Sequence, residues 1–291
     1  MTQSHPLRAG AWMLGAIVSF SSMAVAGRAV SHELDTFEIM LFRSVVGVAI
    51  VLAFALATGT TSRIGRQRLG LHFLRNISHF AGQNLWFFAI TAAPLAQVFA
   101  LEFTSPIWAM FLAVPLLGER LTRMRLVTAA IGFAGVLIVT RPWSAGLNPG
   151  IVTAALAAIG FAGSAVFTRL LTRSEHIVSI LFWLTAMQAV FGLICAGFDG
   201  DIALPSAAAL PGVITIAIAG LVAHFCLTRA LSLAPAAVVM PVDFARLPVI
   251  AAIGYILYSE PLSALTLLGA VIIFGANYVN ISVESRISRR A

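Results

Sequence analysis

Four ionisable side chains stand out because they interrupt long apolar stretches: Arg43, Glu102, Asp243 and Arg246. Charges are costly in such surroundings and by default mark a solute pathway or a paired structural site. Two are basic and two acidic, which points to mutual neutralisation rather than isolated burial. Asp243 and Arg246, three residues apart, share one face of a helix and can pair directly. Glu102 has Ser105 at the matching offset, so its expected partner is Arg43 on another element. Two readings are open from these residues. They are static ion pairs tying helices together, or they line a cavity in which Glu102 binds a cation or a proton and Arg43 or Arg246 receives a carboxylate. On the second reading Glu102 and Asp243 are the proton-coupling candidates.

A second set lies on one stretch: Arg75, Asn76, His79, Gln83 and Trp86 follow spacings of three and four. A polar stripe of this kind in an apolar helix faces protein or water, not lipid. His79, Gln83 and Trp86 suit hydrogen bonding and stacking with a flat ligand, and interhelical hydrogen bonds are the equal alternative. Arg75 is expected to reach the helix end and anchor it. Phe99, three before Glu102, shares its face, whereas Trp108 points elsewhere. Pro94, Pro106, Pro235, Pro241 and Pro248 fall on the same two stretches as the carboxylates, where they free backbone carbonyls and kink helices. Cys195 and Cys226 read as lone buried thiols. His32 with Asp35, and Asp199 with Asp201, match no metal or catalytic spacing. No catalytic residue, metal or cofactor is expected.

The elements that position these groups follow from composition. Of 291 residues, 60% are hydrophobic and 10% charged, with a mean hydropathy of +0.98. A soluble domain carries about 25% charged residues, so a soluble enzyme, a disordered chain and a disulfide scaffold are excluded. Membrane spans need about 20 apolar residues. On that basis ten are expected, near 10–29, 36–57, 70–90, 94–116, 122–140, 149–170, 176–197, 208–230, 235–258 and 262–282. They are too long and too uniformly apolar for β-barrel strands. Ala24-Val25-Ala26 mimics a signal-peptide cleavage site, but the segment is expected to stay as a helix because it has a counterpart in mid-chain. The net charge is +7, and all 18 basic residues are arginine. Most fall in loops on one side, among them Arg63, Arg66 and Arg68, with Arg28 and Arg141 opposite. The asymmetry predicts cytoplasmic N and C termini and gives no footing for nucleic acid.

Sliding the chain by 141 residues aligns its halves without a gap. Arg28 meets Arg169, Gly59 meets Gly200, Ala93-Pro94 meets Ala234-Pro235, Phe103 meets Phe244, Glu119 meets Glu260, and Glu102 meets Asp243. The predicted architecture is therefore an all-α membrane protein with two inverted five-helix repeats. The first covers 10–141, the second 149–282, and 283–291 forms a cytoplasmic tail. Five spans per repeat invert the second copy, as in secondary transporters with a midplane site. At about 1.5 Å per residue each carboxylate lies roughly 12–14 Å into its helix, Glu102 from the outer side and Asp243 from the inner.

Glu38-Ile39 with Arg43, Ala93-Pro94, Thr104-Ser105-Pro106, Gly118-Glu119-Arg120-Leu121 and Gly132-x-x-Gly135-Val136 together resemble the drug/metabolite transporter superfamily, in its EamA-type ten-helix branch. The second half departs from the pattern at Ser259, where the first half has glycine before its glutamate. The resemblance implies a secondary transporter of a small organic metabolite such as an amino acid, drug-like or vitamin-like solute. It would lie in the cytoplasmic (inner) membrane of a bacterium as a monomer or homodimer, with the lipid bilayer as its partner. Export is the expected direction. Import of riboflavin or S-adenosylmethionine is the alternative, and a membrane-embedded lipid-modifying enzyme is the alternative of another class.

Overall fold

In hydrocarbon a backbone N–H or C=O has no water to bond, so a uniformly apolar chain pairs these groups within helices. The computed structural model describes residues 6–117, 123–141, 148–233, 239, 242–243 and 245–288, and among them the regular elements are helical with no strand. They are α1 (Pro6–Val30), α2 (Thr36–Ala57), α3 (Leu69–Ala92), α4 (Leu95–Glu102), α5 (Ser105–Leu117), α6 (Arg123–Thr140), α7 (Pro149–Leu171), α8 (Ile177–Ala196), α9 (Leu210–Leu233), α10 (Arg246–Tyr258) and α11 (Ala264–Ser288), with a 3₁₀ turn at Thr61–Arg63. Six stretches are long and apolar enough to cross a membrane: α1, α2, α4 with α5, α7, α8 and α9. Shorter apolar helices lie at Leu126–Thr140, Arg246–Tyr258 and Ala264–Ala276. Although α3 has 24 residues, its polar stripe makes it less apolar than these six stretches. Glu119, Pro235, Pro241, Phe244, Arg289 and Arg290, and with them the repeat matches and kinks expected there, lie outside the described residues.

Local signals agree between the halves. Asp35 caps α2 by accepting from the Glu38 N–H at 2.8 Å, and Glu38 returns the bond to the Asp35 N–H at 2.9 Å, a capping box. The residue 141 positions on, His176, caps α8 through Nδ1. Gly59 and Gly200, the matched pair that follows these two helices, both have positive φ, +65° and +83°, a conformation glycine adopts without a Cβ penalty. In the loop before α2, Glu33 accepts from both the N–H and the Oγ of Ser206. The backbone donor first, then the hydroxyl, holds its carboxyl below the usual range.

Packing follows the same exchange. The most extensive interfaces pair α1 with α9, α3 with α7, α2 with α8, and α6 with α11. Swapping each helix for its repeat counterpart turns α1·α9 into α7·α3 and leaves the other two pairs unchanged. Helices in lipid associate through close backbone approach at small residues, and α3 meets α7 in that way. A Cβ placed on Gly160 would lie 2.8 Å from Gly82 Cα and from the Ser78 carbonyl oxygen.

The fourth predicted span is not one helix. It breaks at Phe103–Thr104, between α4 and α5. Pro106 has no N–H to return to the carbonyl four residues back, that of Glu102, and its ring disfavours a helical residue before it. The break therefore falls at the carboxylate itself. By contrast α1 runs unbroken through Ala24-Val25-Ala26.

Gly160→Val should push α3 from α7. An overpacked core costs about 1–3 kcal/mol, read as a lower unfolding midpoint in detergent, whereas Gly70→Ala, where a Cβ meets nothing within 4 Å, should leave it unchanged.

Candidate functional site

Glu102 closes α4, and Arg246 opens α10 with Asp243 just ahead of it. The Arg246 Nη2 donates to Glu102 Oε1 at 2.7 Å and to Asp243 Oδ2 at 2.9 Å. One nitrogen thus serves both carboxylates. The Trp86 indole N–H, from α3, donates to the other Glu102 oxygen at 2.8 Å. The guanidinium carbon lies 4.9, 5.0 and 5.3 Å from the ring centres of Phe20, Phe99 and Phe103, within cation–π range. Arg246 is 4% exposed and Asp243 9%. Two carboxylates against one guanidinium leave an excess negative charge, which a proton or a solute cation would balance. Asp243 Oδ1 and Arg246 Nε have no hydrogen-bond partner among the described residues, so the cluster retains bonding capacity.

This arrangement corrects one pairing. Arg43 is not the partner of Glu102, because Arg246 comes across from the other repeat and takes it. Arg43 instead has the thioethers of Met40 and Met23 at 3.8 and 4.0 Å. The two carboxylates, expected in opposite membrane halves, meet on one guanidinium. A depth of 12–14 Å from either face approaches the middle of a core about 30 Å thick, so sites entered from opposite sides can touch. Arg75 is corrected too. It does not reach the helix end but is 3% exposed, donating from Nε to Thr168 Oγ1 at 3.1 Å and from Nη1 to Asn76 Oδ1 at 2.9 Å. A guanidinium with two such partners in the α3–α7 interface is held inward.

The α3 stripe faces protein. His79 and Gln83 are 3% and 2% exposed, and Trp86 2%. His79 packs edge-on against His224, with ring centres 5.1 Å apart, and His224 packs against Phe20 at 5.6 Å. Phe20 therefore separates the Glu102–Arg246–Asp243 bridge from the histidine pair. Phe99 shares the Glu102 face as expected and packs on Trp86 at 5.8 Å. Trp108 is 37% exposed, in keeping with a different face. Gln188 is structural, donating to the Asn76 carbonyl at 2.9 Å.

Sequence reasoning missed the aromatic enclosure of Arg246 by Phe20 and Phe103, and it missed a second charged assembly. Arg28, at the end of α1, donates to Glu260 Oε1, and the other Glu260 oxygen accepts from the Leu95 N–H, at the start of α4, at 2.8 Å. The Arg28 guanidinium stacks 4.3 Å over Tyr258. Ser259, ahead of this glutamate, has φ +53°, the left-handed region where the other repeat carries a glycine. The pairing of Arg28 with Arg169 and of Glu119 with Glu260 at one offset was the available signal, since matched opposite charges can bond within each face.

A model of the EamA-like transporter family matches residues 7–141 and again residues 148–282. The chain belongs to this family. Among curated relatives, an S-adenosylmethionine uptake transporter of Rickettsia felis is 29% identical over 96% of this chain and 94% of its own length. A riboflavin transporter of Brucella anthropi is 32% identical, covering 87% and 90%. The pseudopaline exporter CntI of Pseudomonas aeruginosa is 26% identical, covering 88% and 89%. A crystal structure 19% identical in sequence shares the fold with a TM-score of 0.70 over 96% of this chain and 98% of that one. This EamA-like chain is thus a multi-pass membrane protein and a transporter, not an enzyme.

Glu102→Gln should leave the protein inserted and monodisperse while reducing transport by roughly tenfold or more, since a bond to a charged group is worth about 1.5–3 kcal/mol. Wild-type rates in reconstituted vesicles would remove Glu102 from the mechanism.

Proposed function

We propose that the chain is a ten-span secondary transporter of the bacterial cytoplasmic membrane, with both termini cytoplasmic, that moves a small organic metabolite by alternating access. The observation that carries this reading is the bridge of Glu102, Arg246 and Asp243 at the break between α4 and α5, where the two repeats meet. Discontinuous helices at the interface of inverted repeats are where secondary transporters bind solute. Arg43, His79, Gln83, Trp86 and Phe99 complete the binding region. Glu102 and Asp243 are its proton-coupling groups, because their shared excess charge can be neutralised by a proton on one side and released on the other.

Uptake of a vitamin-like or nucleoside-like solute is the favoured direction, supported by the S-adenosylmethionine uptake relatives and by aromatic surfaces at Trp86, Phe99 and His79 suited to a flat ring. Export is the second reading, favoured by the likeness to the pseudopaline exporter. Vesicles containing the purified protein and preloaded with S-adenosylmethionine or riboflavin should accumulate the same labelled solute by counterflow. Failure across these and a broad metabolite panel would sink the transporter assignment for this site.

The Arg28–Glu260–Leu95 assembly serves as a latch on the outer face. Glu260→Ala removes the acceptor of the Leu95 N–H and the partner of Arg28. Hydrogen exchange across residues 95–99 should speed up and transport should slow. Unchanged exchange would exclude the latch.

A further inference from the structure

Arg246 is poorly suited to receive a solute anion, since two carboxylates already neutralise its charge. Arg43 differs. It is 7% exposed, and no carboxylate among the described residues lies within ion-pair distance of it. Its hydrogen-bond partners among the described residues are the two methionine sulfurs, which are weak acceptors. Arg75 lies within electrostatic range of Arg43 and bonds only neutral groups, Thr168 and Asn76. Two guanidinium groups are thus buried in an apolar bundle without a counter-charge among the described residues, a costly condition in hydrocarbon unless something else supplies the charge.

Arg43 faces a small void between helices. Its side chain lines this void with Ser44, Thr185, Gln188 and Gly220; the Thr185 hydroxyl donates to carbonyls of its own helix, which leaves Ser44 as the hydroxyl donor. A Cβ on Gly220 would fall 3.2 Å from Arg43 Nη2, so glycine there leaves the guanidinium its room. Along α1, Met23 contacts Arg43 and Phe20 contacts Arg246. These residues are one helical turn apart, so an excess positive charge and an excess negative charge line neighbouring parts of one helix face.

We propose that Arg43, backed by Arg75, receives an anionic group of the transported solute, a carboxylate or a phosphate. The inference rests on the transporter reading and adds the chemistry of the solute. The void of about 10 Å³ holds roughly one water, so the solute-bound state requires α2 and α9 to part, as alternating access demands.

The test uses the purified full-length protein in detergent and four probes: S-adenosylmethionine and its carboxyl methyl ester, flavin mononucleotide and riboflavin. The anionic member of at least one pair should raise the unfolding midpoint at a concentration roughly tenfold lower than its partner, equivalent to about 1.4 kcal/mol of binding. The first pair reports a carboxylate and the second a phosphate. Arg43→Gln should lose that preference without lowering the ligand-free midpoint, because it removes an unneutralised charge; a lowered midpoint would assign Arg43 a structural role. Arg43→Lys, which keeps the charge, should retain part of the preference and exclude misfolding as the cause. Equal response to both members of each pair, a preference that survives Arg43→Gln, or no response to either anion overturns the proposal. Counterflow of a neutral solute in that case would leave the transporter reading standing, and absence of all counterflow would remove both.

Discussion

The bond from Arg246 to Glu102 and Asp243 joins the two repeats beside the break between α4 and α5. Each carboxylate would be prohibitively costly alone in an apolar bundle, and the guanidinium equally so. Sharing one nitrogen between them makes their burial tolerable and leaves a single excess negative charge. A residual charge of this kind is able to take up a proton or a cation. The aromatic rings of Phe20, Phe99 and Phe103 exclude lipid and water from the guanidinium, and Trp86 fixes the second oxygen of Glu102.

The remaining architecture serves that meeting point. Pro106 interrupts the span at the carbonyl of Glu102, so a polar group and a backbone discontinuity coincide. The close crossing at Gly82 and Gly160 brings α3, with its polar stripe, against α7 and so turns His79, Gln83 and Trp86 inward. On one face Glu260 ties the ends of α1 and α4 together through Arg28 and the Leu95 N–H. These buried charges thus divide by what they contact. The Arg246 bridge joins the halves, the Glu260 pair closes a face, and Arg43 with Arg75 stands without a counter-ion among the described residues.

Much of this was legible in sequence because two kinds of signal survive without coordinates. Length and apolarity predicted the helices, since a bilayer permits few alternatives, and the offset of 141 tied Gly59 to Gly200 before both proved to have positive φ. Phe99 on the Glu102 face followed from helical spacing, as did the Asp243–Arg246 pair. Pairings between helices did not follow. Arg43 and Arg246 are equally good partners for Glu102 on charge alone, and only the packing of α10 against α4 chooses between them. Arg75 failed for the same reason, since depth along a helix says nothing about which neighbour offers Thr168 as an acceptor.

The amino-acid sequence by itself determined that this chain is a helical membrane protein, that it repeats, and which few ionisable residues its apolar runs must accommodate. These are properties of composition and period, and solvation physics reads them directly. Tertiary structure alone decided which charges neutralise one another across helices and which are left over. Ion pairing at a few ångströms depends on helix contacts between segments more than 100 residues apart, and no local pattern encodes those contacts.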